Sequence, residues 1–208
     1  MAVEIKICGM TCREDIEAAV AMGADYVGFV MYPPSPRSVT SEEAAAIVSG
    51  LGVPVRAVGV FVNEHADNVR RAVDACGLHA VQLHGEVDPA DYRGFSVPVW
   101  RALRIGAKDA GIVPPDARVV ERLVLDAAVP GLYGGTGVAA DWPAAAAIAR
   151  RARVMLAGGL TPENVAAAID RVQPLGVDVA SGVESRPGRK DHARMRAFID
   201  AVRTAMPS

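Results

Sequence analysis

Short apolar runs alternate with alanine-rich helical segments from one end of the chain to the other, predicting an α/β protein. Its parallel strands are expected to close into a single (β/α)8 barrel. Three observations carry this expectation. Eight strand-like runs occur, each leading toward a segment of helical character. The runs are continuously apolar, as strands covered on both faces require. No shift in composition divides the 208 residues, so one domain spanning 1–208 is expected. An open doubly wound sheet is the alternative. It calls for a helix-opening G-x-G-x-x-G after the first strand, where Gly9 stands alone.

The first strand is expected over 3–8 and the first helix over 13–22. Tyr26, Val27, Phe29 and Val30 favour a second strand over 25–31. The three prolines of Tyr32-Pro33-Pro34-Ser35-Pro36-Arg37-Ser38 rule out helix interior, because each fixes φ and removes a donor. Thr40 or Ser41 then caps a helix whose first turn carries Glu42 and Glu43, where the helix dipole favours negative charge. Strands follow over 55–62, 80–84, 97–103, 119–126, 153–157 and 177–181. Helices are expected over 64–76, 88–92, 143–151, 162–171 and 191–206; the glycines and prolines of 106–115 make any helix there short or irregular.

Composition narrows the function classes. The chain is 51% hydrophobic and 22% charged, with a net charge of −2, and has no clustered basic face of the kind nucleic acid demands. The richest basic stretch, Arg186 to Lys190 with Arg194 and Arg196 beyond, reads as a solvated loop and helix face. No apolar run reaches the roughly 18–20 residues needed to span a bilayer, and no secretory leader is visible. The expectation is no nucleic acid and no membrane. Cys8, Cys12 and Cys76 form no disulfide pattern, so a reducing cytoplasm is the expected location. Cys8 and Cys12 lack a second pair of ligands, so no metal is expected.

In a barrel of this kind chemistry gathers at the C-terminal ends of the strands and in the loops that follow them. Cys8 ends the first strand, Arg37 follows the second, His84 ends the fourth and Asp126 ends the sixth. Gly158-Gly159 follow the seventh, and Asp178 with Ser181-Gly182 lie in and after the eighth. The last two loops are where barrels build phosphate sites from backbone N–H groups, and small residues let a phosphate approach the main chain. Each remaining residue has two readings. Cys8 is a nucleophile or base, or a small buried residue. Asp126 caps a loop, or is a general acid raised by partial burial. Arg37 clamps a carboxylate with its planar fork, or is an exposed loop cation. His84 shares a strand face with Gln82 and lines the site or caps a carbonyl. Gly134-Gly135-Thr136-Gly137 is a lid, an anion nest or a surface loop.

Taken in order, several stretches resemble phosphoribosylanthranilate isomerase of tryptophan biosynthesis. They include Lys6-Ile7-Cys8-Gly9-Met10-Thr11, Ser35-Pro36-Arg37, Val81-Gln82-Leu83-His84-Gly85 and Leu125-Asp126. They continue through Gly134-Gly135-Thr136-Gly137, Leu156-Ala157-Gly158-Gly159-Leu160-Thr161-Pro162-Glu163-Asn164 and Gly176-Val177-Asp178-Val179-Ala180-Ser181-Gly182-Val183-Glu184. The resemblance implies a cytoplasmic enzyme that performs an Amadori rearrangement on a small phosphorylated substrate with no metal and no cofactor, as a monomer or homodimer. It implies Cys8 as general base, Asp126 as general acid and Arg37 on the anthranilate carboxylate. Gly158, Gly159, Ser181 and Gly182 would hold the phosphate, and Asp178 a ribose hydroxyl. Cys12 and Val138-Ala139-Ala140 depart from the family's usual residues, both beside the expected site. Two other readings are a related aminoaldose isomerase of histidine biosynthesis, which would carry aspartate in place of Cys8, and a non-catalytic phosphate-ligand-binding barrel.

Overall fold

The computed structural model of this chain describes residues 2–105, 118–127 and 141–205. Eight parallel strands pair in sequence order, and the last pairs with the first, so the sheet closes on itself. They are β1 (Glu4–Cys8), β2 (Tyr26–Val30), β3 (Ala57–Val62), β4 (Ala80–His84), β5 (Val99–Ile105), β6 (Arg122–Ala127), β7 (Val154–Leu156) and β8 (Gly176–Val179). Among the described residues six α-helices surround the strands. They are α1 (Arg13–Met22), α2 (Ser41–Ser49), α3 (Ala66–Cys76), α4 (Trp142–Ala149), α5 (Val165–Val172) and α6 (His192–Thr204). None is long and apolar enough to cross a membrane.

The helix starts follow from local chemistry. Thr40 and Glu43 form a reciprocal capping box, each side chain bonding the other's backbone N–H. Asp141 caps α4 by accepting from the Ala144 N–H, and Asp191 caps α6 by accepting from Ala193 and Arg194. His65, which carried no positional argument in the sequence, caps α3 through Nδ1.

Strand limits shift by one to three residues from the sequence expectation. β6 begins at Arg122 because Val119 lies in a turn, while Val120 packs into the outer core. The run expected over 177–181 stops at Val179, and Ser181–Val183 winds into a single 3-10 turn. The segment expected as a short helix after β4 is likewise a 3-10 turn, Pro89–Tyr92. The expected irregular segment 106–115 and the Gly134–Gly137 loop lie outside the described residues.

One correction concerns the basic stretch. It forms a two-stranded hairpin, β9 (Glu184–Arg186) with β10 (Arg189–Lys190), and Lys190 is buried rather than solvated.

Pleating divides the strand residues into two sets. Ile5 and Ile7, Val81 and Leu83, Leu123 and Leu125, and Val177 and Val179 join the main core between strands and helices. Their alternates point into the barrel. At its lower end, Tyr26, Trp100, Val124 and Met155 belong to a separate apolar cluster. Arg122 is buried there with its guanidinium 4.4 Å above the Trp100 ring and 5.5 Å from that of Tyr26. It pairs with Glu4 and Glu121. Its charge is therefore neutralised on two sides and stacked between aromatic faces, the arrangement a planar guanidinium suits.

Removing that cation should leave two acidic side chains and a cavity at the barrel floor. Arg122→Ala is expected to cost about 3 kcal/mol of stability. Urea unfolding would measure this, and a loss of only a few tenths would show that the plug is dispensable.

Candidate active site

The upper end of the barrel opens into a cavity of about 760 Å³, its mouth included. All eight site residues expected from the sequence line it: Cys8, Arg37, Asp126, Gly158, Gly159, Asp178, Ser181 and Gly182. Gln82 and His84 line it too. The strands explain this convergence. Cys8 on β1, Asp126 on β6 and Asp178 on β8 occupy inward positions, and the loops after β7 and β8 complete the rim.

Cys8 is buried in charged company. Lys6 precedes it by two residues, so both side chains point into the barrel. Lys6 is 0% exposed, and its Nζ bonds Asp178 Oδ2 at 2.9 Å. Gly28 on β2 lies opposite Cys8 in register, and its lack of a side chain makes this packing possible. A Cβ there would stand 2.7 Å from Cys8 Sγ and 3.1 Å from Lys6 Nζ. Burial pushes the Cys8 thiol up; the Lys6 ammonium pulls it back, the Asp178 carboxylate adds to the rise, and Lys190 opposes it. Burial alone would discharge Lys6, but the Asp178 carboxylate and Cys8 together outweigh it and keep the ammonium charged.

Arg37 is not a free loop cation. Its Nε bonds both Glu184 oxygens, at 2.9 and 3.1 Å, and its NH2 bonds Oε2 at 2.7 Å. This side-on pair leaves the other edge of the guanidinium without a hydrogen bond among the described residues. Glu184 also accepts from Lys190 Nζ at 3.0 Å, and Lys190 donates to the Cys8 carbonyl at 2.6 Å and that of Ala180 at 3.2 Å. Burial would raise the Glu184 carboxyl, but the Arg37 fork and Lys190 hold it below its usual range. The hairpin thus fixes the loop after β2 against the ends of β1 and β8.

The two glycine-bearing loops meet beside it, at the ends of β7 and β8. Gly158 and Gly159 have φ of +83° and +62°, which turn the chain sharply after β7. Gly182 packs so tightly on this loop that a Cβ would fall 1.9 Å from the Leu160 carbonyl oxygen. Asn164 ties the turn together by donating to the Gly159 carbonyl at 2.9 Å and accepting from the Thr161 N–H at 2.8 Å. The N–H groups of Gly158, Gly159, Ser181 and Gly182 have no backbone acceptor among the described residues. Such a cluster of donors suits an anion.

Gln82 Nε2 and His84 Nε2 stand 2.7 Å apart. Burial, with the positive charges of Lys6, Arg101 and Arg104, pushes His84 down to about 3. It is therefore a neutral ring in the cavity wall, and it caps no carbonyl among the described residues. Two buried acceptors of the wall, Gln82 Oε1 and Asp178 Oδ1, have no hydrogen-bond partner among the described residues.

Sequence reasoning did not single out Lys6, Glu184 or Lys190. Lys6 had a readable signal, a lone cation inside an apolar strand with the phase of Cys8. Glu184 and Lys190 had none, because the partners that draw them into the site, Arg37 and the Cys8 carbonyl, lie far away in sequence. Cys12, one of the departures, occupies the N-cap of α1 without a side-chain cap bond. Val138-Ala139-Ala140 lies outside the described residues.

Fold and rim together define a class: a (β/α)8 barrel with a thiol, carboxylates and a cation gathered at the C-terminal ends of its strands, beside two loops whose N–H groups suit an anion. The chain belongs to the N-(5′-phosphoribosyl)anthranilate isomerase family, whose model matches residues 5–201. The N-(5′-phosphoribosyl)anthranilate isomerase of Roseiflexus castenholzii is 48% identical over 97% of this chain and 98% of its own length. That of Pelobacter propionicus is 46% identical over 95% and 94%. Among solved structures, phosphoribosyl anthranilate isomerase from Thermotoga maritima superposes with a TM-score of 0.85 at 38% identity, over 97% of this chain and 99% of that one. A further solved isomerase, in complex with reduced 1-(o-carboxyphenylamino)-1-deoxyribulose 5-phosphate, gives a TM-score of 0.81 at 36% identity, over 97% and 99%.

The neutral state of His84 has a consequence for stability. In the unfolded chain a histidine titrates near 6.5, whereas folded His84 refuses the proton until about pH 3. Its contribution is therefore full above pH 6.5 and is lost as pH falls from there toward 3. His84→Gln should flatten the acid-side fall in unfolding free energy by up to one proton, about 1.4 kcal/mol per pH unit. Urea titrations at pH 4 to 7 would measure the slopes, and equal slopes in both proteins would refute the assignment.

Proposed function

We propose that this chain converts N-(5′-phosphoribosyl)anthranilate to 1-(2-carboxyphenylamino)-1-deoxyribulose 5-phosphate, an Amadori rearrangement in tryptophan biosynthesis. One observation carries the residue roles: a single cavity is lined by Cys8, Asp126, Arg37 and two glycine loops whose N–H groups have no backbone acceptor among the described residues. The substrate has a matching form, with a carboxylate at one end, a phosphate at the other and an aminoaldose between. A solved relative is in complex with a reduced form of that product, which supports the same substrate class for this chain.

Arg37 holds the anthranilate carboxylate with the edge that Glu184 leaves open, so the guanidinium is aimed before substrate arrives. Gly158, Gly159, Ser181 and Gly182 hold the phosphate through backbone N–H groups. Asp178, with Oδ2 on Lys6, keeps Oδ1 for a ribose hydroxyl. Anchoring both ends places the sugar carbons between thiol and carboxylate, which removes much of the orientational cost of reaction.

Asp126, protonated, gives its proton to the furanose ring oxygen as the C1′–O bond breaks, leaving a protonated Schiff base on the anthranilate nitrogen. Cys8, as thiolate, takes the proton from C2′, and the electron pair of that bond flows into the iminium. The resulting enolamine then moves a proton from its C2′ hydroxyl to C1′ and becomes the aminoketose. The chemistry is proton transfer throughout. Because burial pushes the thiol up, turnover limited by the base should rise with pH until Cys8 ionises.

The test is loss of anthranilate fluorescence on addition of the aminoaldose. Cys8→Ala should keep the fold and the binding of a phosphate-bearing product analogue while turnover falls by about 10²–10⁴ or more, the usual worth of a general base. Asp126→Asn should fall by a similar factor. Arg37→Ala should raise KM chiefly for the carboxylated substrate. Normal turnover of Cys8→Ala would sink the base assignment, and no turnover by the unaltered protein would sink the activity.

A further inference from the structure

We propose that Lys6 is a positioning residue for this reaction: held on Asp178, its ammonium stabilises the Cys8 sulfur as the thiolate that works as base. The inference rests on the reading of Cys8 as the base, but its test below does not depend on turnover. Lys6 is among the largest fully buried side chains of the protein, and no solvent reaches its charge. Register fixes its first partner, because β1 pairs with β8 at Lys6↔Asp178 and the two side chains meet at 2.9 Å. Gly28 locates its second. The point a Cβ would take there is 3.1 Å from Lys6 Nζ and 2.7 Å from Cys8 Sγ, so ammonium and sulfur converge on one spot. Opposite charges within roughly 4–6 Å favour each other's ionised forms.

The charge arithmetic decides the sign. With Cys8 protonated, Asp178, Lys6 and Cys8 together are neutral, and ionisation of the thiol leaves one negative charge. Without Lys6 the thiolate would have to form beside a buried carboxylate, placing two negative charges together. The other groups facing Cys8 cannot replace Lys6. From β10, Lys190 bonds the Cys8 carbonyl, but its charge is shared with Glu184, itself paired with Arg37. From β2 comes only Gly28, His84 on β4 is neutral, and Asp126 on β6 is acidic. A purely structural role would also leave the placement unexplained, since a buried ion pair adds little net stability over apolar packing. Here the pair sits directly beneath the proposed base.

The experiment reads the pH midpoint of Cys8 alkylation by iodoacetamide in the ligand-free protein, resolved from Cys12 and Cys76 by peptide mass spectrometry. Lys6→Met should raise the midpoint by about 1–3 units, and Lys6→Arg should stay near the wild-type value. Asp178→Asn should lower it, the opposite sign. The acid limb of the kcat/KM profile should move with the Lys6→Met midpoint. Lys6→Met strands a buried carboxylate, so the charge-free pair Lys6→Met/Asp178→Asn is compared with Asp178→Asn alone; Lys6 is then read as the higher midpoint of the double variant. An unchanged midpoint in Lys6→Met, or an Asp178→Asn shift upward, would overturn the proposal. Turnover retained by Cys8→Ala would instead overturn the reading of Cys8 as base and leave the ionisation result standing.

Discussion

Closing the barrel requires β1 to hydrogen-bond to β8 in one register, from Glu4↔Gly176 to Ile7↔Val179. Pleating leaves little freedom after that, because a one-residue slip would turn Ile5 and Ile7 inward and Lys6 outward. The same register brings Lys6 onto Asp178 and carries Cys8 to the rim two residues later. A buried lysine without its carboxylate would be costly, so the ion pair penalises other closures of the sheet. Strand pairing and site chemistry are therefore settled by the same contacts.

A second constraint ties the loops together. The guanidinium of Arg37, the carboxylate of Glu184 and the ammonium of Lys190 alternate in sign and end on the Cys8 carbonyl. The Thr11 hydroxyl adds a bond to the Gly188 carbonyl at the hairpin tip. Three segments distant in sequence, following β1, β2 and β8, are fastened into one wall. Next to it Asn164 and the Gly182–Leu160 contact do the same for the loops after β7 and β8. Several groups aimed at the cavity are thus held by Glu184, Lys190 and Asn164, which lie outside the cavity lining, as preorganised sites require.

The barrel was legible in the chain because its signals are local and repeated. β4 and α1 fall where apolar runs and helical spacing place them, and Thr40 marks its helix by a four-residue capping pattern. Cys8, Asp126 and the glycines of the last loops were visible as candidates because strand ends in such a fold share one rim. Less visible was everything that depends on pairing between distant residues. Lys190 looked like part of an exposed basic run, since nothing local shows that Glu184 and two backbone carbonyls lie over it. Arg37 kept two readings, a carboxylate clamp and an exposed loop cation, because its partner Glu184 lies far along the chain. The depression of His84 comes first from burial, which cannot be read from a strand-end position alone, and then from Lys6, Arg101 and Arg104 on other strands.

The filled floor of the barrel shapes traffic as well as stability. Arg122, Trp100 and Tyr26 leave the upper mouth as the route by which the described barrel interior meets solvent. In the proposed reaction a substrate anchored at both ends would occupy that doorway along its length. Its product has the same two anchors and must retreat the way the substrate came. Arrival and departure are then mutually exclusive events at one portal, so the product competes directly with the next substrate. The strength with which the anchors grip the product thus sets a ceiling on how quickly the portal clears.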